Sequence, residues 1–289
     1  MYQISNQYLE VSIAAKGAEL QSIYNKHTKL EYMWGGDPAF WSKKSPVLFP
    51  IVGGLKNNTY YFNKQAYSLN RHGFARDSMF EVTQQSANSI TFSIASNEET
   101  RKIYPFDFHF SIIYTLQNEE LIVTYAVNNT GNHELFFSVG AHPAFKVPLT
   151  EGTTFTDYYL LFNTPENIGR WPLSAEGLIE KKTIPVLQNE QELPLTKALF
   201  FSDALVFKQL RSNTISIVSH QHKHGVSITF DGFPYMGIWS AKHADFVCIE
   251  PWCGIADSVD TTQQLSDKEG ILQLQPQANF QVSWKGRFF

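Results

Sequence analysis

HFSIIYTLQNEELIVTYAVN, residues 109–128, decides the fold class. In its second half Leu121, Val123, Tyr125 and Val127 fall on one face of an extended chain, the period-2 signature of a half-buried strand. HFSIIYTL (109–116) is also strand-like, and Gln117-Asn118-Glu119-Glu120 between the two runs predicts a hairpin turn. Working outward, the pattern recurs in YLEVSIAA (8–15), SITFSIA (89–95), ELFFSVGAH (134–142), YYLLF (158–162), ALVFKQL (204–210), TISIVSH (214–220), VSITFD (226–231) and DFVCIEPW (245–252). Asn-Thr-Gly at 129–131 and Asp-Gly at 231–232 punctuate these runs. Helical periodicity is confined to short turns at Glu98–Tyr104 and Leu195–Phe201. Many short strands with few helices predict an all-β chain folded as an antiparallel sandwich or barrel. The polar stretch 163–196, with Pro165, Pro172, Pro185 and Pro194, is expected to be a long excursion inside one domain spanning 1–289, because the strand signals on either side are alike.

Composition narrows the class further. The 289 residues carry a net charge of −4, and 17% are charged against about 25% in typical soluble domains. With 23 Phe, 13 Tyr and 6 Trp the chain has ample material for a core, which excludes disorder. Mild acidity without a basic block argues against nucleic acid as a partner. No run of about 18 apolar residues predicts a spanning helix, so no membrane partner is expected. The opening MYQISNQYLEVSIAAKGAEL lacks the basic and apolar regions of a signal peptide. Cys248 and Cys253 fit neither a disulfide scaffold nor a zinc motif, and a reduced cytoplasmic pair is the expectation.

Four segments place ionisable residues among Gly, Pro and aromatics: SPVLFPIVGGLKNNTYYF (45–62), NRHGFARD (70–77), SVGAHPAF (138–145) and FVCIEPWCG (246–254). A histidine taken singly is more often a hydrogen-bonded structural residue than a catalyst. His142, however, ends an apolar strand just before Pro143, where the ladder must break and leave the imidazole at a sheet end. Glu250 interrupts the apolar run Phe246-Val247-Cys248-Ile249, and a carboxylate there is costly to bury unless it is paired or used. The bland alternative is an ion pair with Arg71 or Arg76. His220-Gln221-His222-Lys223-His224 could present alternate imidazoles on one strand face, but Gly225 follows it. An exposed polar turn without a metal is the expectation there.

HGFARD, GAHPAF, FDGFPYMGIWS and the late EPW, in this order and spacing, resemble the aldose 1-epimerase (galactose mutarotase-like) family, particularly its shorter bacterial branch encoded near sugar operons. The resemblance spans nearly the whole chain. It implies a large twisted antiparallel β-sandwich, a supersandwich, and interconversion of the α and β anomers of an aldose such as galactose or another hexose. By the same resemblance Glu250 of IEPW is the base that takes the anomeric hydroxyl proton, and His142 of GAHPAF is the acid that protonates the ring oxygen. His72 of RHGFARD is the second histidine, holding the sugar, and Asp231 of FDGFP is a hydroxyl ligand. The chemistry needs no cofactor and no metal.

One departure stands out. In the family the LFP segment usually continues into a glycine followed by an arginine that reaches the substrate, whereas here Gly54 occupies that position. Lys56 and Arg71 are the candidate replacements, although an ammonium cannot reproduce the arginine fork. Trp239, with Trp252, Phe74, Phe145 and Tyr235, lies in or beside the motifs and could pack on a sugar face. A small-molecule aldose is therefore the expected partner of a monomer or homodimer. A hexose-6-phosphate mutarotase and a non-catalytic carbohydrate-binding or sensing protein are the rival readings.

Overall fold

The computed structural model describes Met1–Phe289. The hairpin expected over 109–128 forms as strands Phe108–Gln117 and Glu120–Asn129, joined by a two-residue turn in which Asn118 takes a φ of 53°. Leu121 pairs with Leu116, Val123 with Tyr114, Tyr125 with Ile112 and Val127 with Phe110, so both apolar rows share one face. All eight of these side chains are buried.

This hairpin sits inside a nine-stranded antiparallel sheet. Its order is Ile184–Pro194, Tyr158–Arg170, Thr214–Ser219, Val226–Thr229, Asn279–Phe288, Glu120–Asn129, Phe108–Gln117, Ser89–Ala95 and Glu81–Gln85. A five-stranded sheet runs Val139–Gly140, Phe246–Cys253, Tyr235–Trp239 and Leu205–Lys208, with Ala144–Lys146 also paired to Phe246–Cys253. A four-stranded sheet is built from Tyr2–Ser5, Leu9–Ile13, Leu20–Asn25 and Leu30–Glu31. One core of 62 buried residues ties the three together: Val11 from the small sheet, Phe110, Tyr125 and Trp284 from the large one, and Phe207, Ile238, Val247 and Ile249 from the five-stranded one. The chain is thus an all-β sandwich. Its one α-helix is the short Glu98–Ile103, capped by Asn97, and no helix is long and apolar enough to cross a membrane.

Two segments depart from the sequence expectation. The polar excursion 163–196 is largely paired: Tyr158–Arg170 and Ile184–Pro194 extend the large sheet as a ribbon with several register shifts. Most of its outer part is exposed on both faces, so no alternation of apolar residues marks it. The run 134–142 is not one strand but two short ones, Leu135–Phe137 and Val139–Gly140, on different partners.

The five-stranded sheet positions the site. Phe246–Cys253 is buried along its whole length, yet its two faces differ. Val247, Ile249 and Cys253 enter the large core. Phe246 and Cys248 pack against Trp34 and Ala144 on the opposite face, and Trp252 joins a separate small cluster. Strand parity therefore puts Glu250 on that second face.

Phe110 stacks on Phe49 with ring centroids 4.4 Å apart, at the heart of the core. Phe110→Ala should lower unfolding stability by about 3–5 kcal/mol, as for other buried aromatic truncations. Equilibrium denaturation measures this, and a loss below about 1 kcal/mol would show that the core collapses around the deletion.

Candidate active site

On the second face of the five-stranded sheet lies a cavity of about 860 Å³. Its floor holds Glu250, 1% exposed, and His142, 8% exposed. His142 lies between Val139–Gly140 and Ala144–Lys146, where Pro143 interrupts pairing, and the Ala141 N–H donates to the Pro251 carbonyl at 3.0 Å. That bond brings the two segments side by side, leaving His142 Nε2 3.3 Å from Glu250 Oε2. Trp41 stacks on the His142 ring at 5.0 Å and Trp239 meets it edge-on at 5.6 Å. The ion pair of Glu250 with Arg71 or Arg76, one of the sequence readings, does not form; its close partner is His142.

Burial sets the protonation of this pair. It pushes the Glu250 carboxyl well above the usual carboxylate range, reinforced by the nearby Asp203 charge and opposed by Arg76 and Arg71. It lowers the His142 imidazole to about 3, with Arg76 and Arg71 adding repulsion. Both shifts favour the neutral forms of the pair, a carboxylic acid beside an uncharged imidazole. The ionised base and imidazolium expected from the sequence are the other tautomer of the same pair, one proton hop away and with the same proton count.

His72 has a different role. Its Nδ1 accepts the Gly53 N–H at 3.1 Å, and its own backbone N–H donates to the Gly53 carbonyl at 2.9 Å. Burial, together with His142 and the two arginines, lowers its pKa well below the ordinary 6.5. A neutral ring that accepts at Nδ1 must carry its proton on Nε2, so His72 is a fixed hydrogen-bond donor at the cavity wall. Its φ of 70° is unusual for a non-glycine residue, a strain held by the surrounding bonds.

Arg71 approaches Gly54. The Arg71 Nε lies 3.9 Å from where a Cβ on Gly54 would stand, and a Cβ on Gly177 would collide with the Arg71 guanidinium. The Arg71 guanidinium thus lies beside Gly54, carried by the turn that leads into His72. Arg71 faces Asp203 at 4.0 Å, with both side chains partly exposed to the cavity.

Five of the seven sequence candidates converge here: Glu250, His142, His72, Arg71 and Trp239. Two do not. Asp231 is an exposed turn residue that accepts from the Asn213 side chain at 2.8 Å, away from the cavity. Lys56 turns outward from it, its ammonium donating to the Val259 carbonyl at 2.9 Å. The cavity carboxylate that sequence reasoning missed is Asp203, held at a φ of 77° between Phe200-Phe201 and the strand Leu205–Lys208. Trp41, Ser240 and Lys242 also line the cavity, and of these Trp41 had a signal, standing just ahead of the LFP segment.

One set of metal-type donors occurs at the floor: His142, Cys248 and Glu250 bring ligand atoms within 4.8 Å of one another. A cation there would have to displace the shared proton and deprotonate a thiol that burial pushes well above its ordinary value. In the 220–224 run the His222 and His224 rings lie 5.8 Å apart, and the His224 N–H donates to His222 Nδ1 at 3.1 Å. His220 stacks on Tyr159, and His222 Nε2 lies 2.8 Å from the Tyr158 hydroxyl.

A family model for aldose 1-epimerase matches residues 1–281. The protein LacX of Lactococcus lactis subsp. lactis is 33% identical over 283 residues, covering 95% of this chain and 94% of that protein. Among solved structures, a galactose mutarotase related enzyme from Lactobacillus acidophilus superposes with a TM-score of 0.95 at 37% identity, covering 100% of this chain and 97% of that one. A galactose mutarotase-like protein from Lactobacillus casei superposes with a TM-score of 0.92 at 32% identity, covering both chains fully.

Because the folded Glu250 carboxyl titrates above its ordinary value of 4.5, its stabilising contribution is complete below that value and is lost as pH rises through the folded one. Glu250→Gln removes the ionisation. The variant should therefore gain stability relative to the parent as pH is raised, measured by thermal unfolding across a pH series. A parent that instead gains on the variant with rising pH would mean the carboxylate is stabilised in the fold.

Proposed function

The chain belongs to the aldose 1-epimerase family, and from that membership we propose that it is a cofactor-free mutarotase interconverting the α and β anomers of a hexose, acting in the cytoplasm as a single unit over 1–289. The observation that carries this is the direct contact of His142 Nε2 with Glu250 Oε2 at 3.3 Å on the cavity floor. In a pyranose the anomeric hydroxyl and the ring oxygen are bonded to the same carbon, so an acid and a base in contact can serve both. Glu250 takes the hydroxyl proton while His142 protonates the ring oxygen, and the C1–O5 bond breaks to give the aldehyde. After rotation about C1–C2 the flow reverses: His142 recovers the proton from O5 as it attacks, and Glu250 returns one to the carbonyl oxygen. The pair ends as it began.

The neutral acid–imidazole pair that burial favours is the state required once the ring has opened. Lowering the energy of that state is a way to stabilise the difficult half of the reaction rather than the bound sugar. His72 would donate from Nε2 and Asp203 would accept a sugar hydroxyl, taking the part given to Asp231 by sequence. Trp239 and Trp41 offer flat apolar faces.

A hexose 6-phosphate is a second reading, favoured by one feature. Arg76 lines the cavity half-buried with no carboxylate at ion-pair distance, beside Arg71 and Lys242. An anionic group on the substrate would complete it. Equilibration of freshly dissolved α-D-glucose, α-D-galactose and glucose 6-phosphate, followed by polarimetry or anomeric proton NMR, ranks the substrates. Acceleration by the protein over buffer is expected; binding without acceleration leaves a carbohydrate sensor instead.

Glu250→Gln should lower kcat by about 10²-fold or more, the usual loss on removing a general base. His142→Asn should do the same, whereas His72→Asn should act mainly on KM. The pH profile of kcat/KM should be bell-shaped, since two protons on the pair or none both stop the cycle. Its acidic limb should lie well below 6.5, because that limb adds a proton to an imidazole already lowered to about 3. A limb at the ordinary imidazole value would show that the pair works from a different proton count.

A further inference from the structure

Behind the cavity wall lies a buried ion pair that the acid–base cycle does not touch. Lys268 Nζ donates to Asp257 Oδ1 at 2.8 Å, with side chains only 2% and 3% exposed. Burying two charges is costly unless every remaining donor and acceptor is used, and removing one partner strands the other. Here the second carboxylate oxygen, Asp257 Oδ2, accepts the backbone N–H of Lys56 at 3.0 Å.

The backbone of Asp257 is equally committed. Its N–H donates to the Gly54 carbonyl at 2.9 Å, and its carbonyl accepts from Ile179 at 2.8 Å. Val259 then returns a bond to the Ile179 carbonyl at 3.1 Å, and Lys56 Nζ closes on the Val259 carbonyl at 2.9 Å. Three segments are locked together this way: Gly53–Lys56, Ala256–Val259 and the turn around Gly177. Gly53 lies so close on Ala256 that any Cβ would collide with it. From Gly53 the N–H reaches His72 Nδ1, and at Gly177 the backbone forms the seat of the Arg71 guanidinium.

We propose that Asp257 and Lys268 are positioning residues for the sugar site. Their ion pair fixes the Gly53–Gly54 segment, and through it the Nε2–H tautomer and orientation of His72, together with the seat of Arg71. Neither side chain touches the reacting atoms. The ligand-facing consequence rests on the mutarotase reading, but the tautomer consequence does not.

Replacement of both partners, Asp257→Asn with Lys268→Met, removes the charges together and avoids a stranded ion, so it is the variant expected to fold. Asp257→Asn alone keeps an acceptor for the Lys56 N–H but strands the buried Lys268 ammonium, so it should be the less stable of the two. Nitrogen-15 NMR of the imidazole rings in the sugar-free protein reads the His72 tautomer directly. The parent should show an unprotonated, hydrogen-bonded Nδ1, and the double variant should show a mixture of tautomers. In the mutarotation assay KM should rise by one to two orders of magnitude, as expected when a binding group is misplaced by about 1 Å, with a smaller change in kcat. An unchanged His72 spectrum in the folded double variant overturns the proposal whatever the activity. A changed spectrum in the double variant, with a parent that accelerates no sugar, would leave the positioning role standing and remove the mutarotase reading.

Discussion

A carboxyl group with 1% exposure on a strand buried along its whole length is the constraint around which this molecule is arranged. Phe246–Cys253 must be apolar to close the sandwich, because its odd-numbered side chains complete the main core. One position on its other face carries a carboxyl, and that residue is almost wholly buried. The carboxyl therefore depends on what the fold brings to it: the His142 imidazole and the field of Arg71 and Arg76. Replace any of these and the balance between acid and carboxylate moves, since in a low-dielectric site each nearby charge acts with little screening.

The rest of the cavity follows from keeping that group both dry and reachable. Trp41 and Trp239 bracket His142 and limit its rotation, while the ribbon beyond Arg170 bends so that Leu173–Ile179 walls the opening. Two residues on this rim, His72 and Asp203, hold left-handed backbone conformations. Such strain persists where surrounding bonds over-determine it, and at His72 the Gly53 backbone makes them, its N–H donating to the ring and its carbonyl accepting the His72 N–H. A wall fixed this way presents donors and acceptors without reorganisation when a ligand arrives.

Stability and chemistry pull against each other at the floor. Burial penalises the charged forms of Glu250 and His142 alike, and both are kept within 3.3 Å of each other. A pair that shares one proton avoids two isolated buried charges, and it is also the arrangement able to pass that proton in either direction. The stability given up by burying the carboxyl and the capacity for reversible proton transfer are then one property of the same geometry.

The sequence by itself determined the all-β class, because alternation over 109–128 is a local pattern that a strand must satisfy. It also picked out His142 and Glu250, for a local reason: Pro143 must break a ladder at the histidine, and a carboxylate must be exceptional within an apolar run. It named Asp231, whereas the structure puts Asp203 on the cavity, since both sit in turns beside aromatics and nothing local distinguishes them. Lys56 failed likewise; its proximity along the chain to Gly54 said nothing of which way its ammonium would turn. Only the tertiary structure decided that Arg71 comes to lie beside Gly54, that the polar stretch from 163 to 194 pairs into the large sheet, and that burial favours the neutral forms of Glu250 and His142. Each of these depends on contacts between residues far apart in the chain and on exclusion of water, and neither is written in the order of neighbouring side chains.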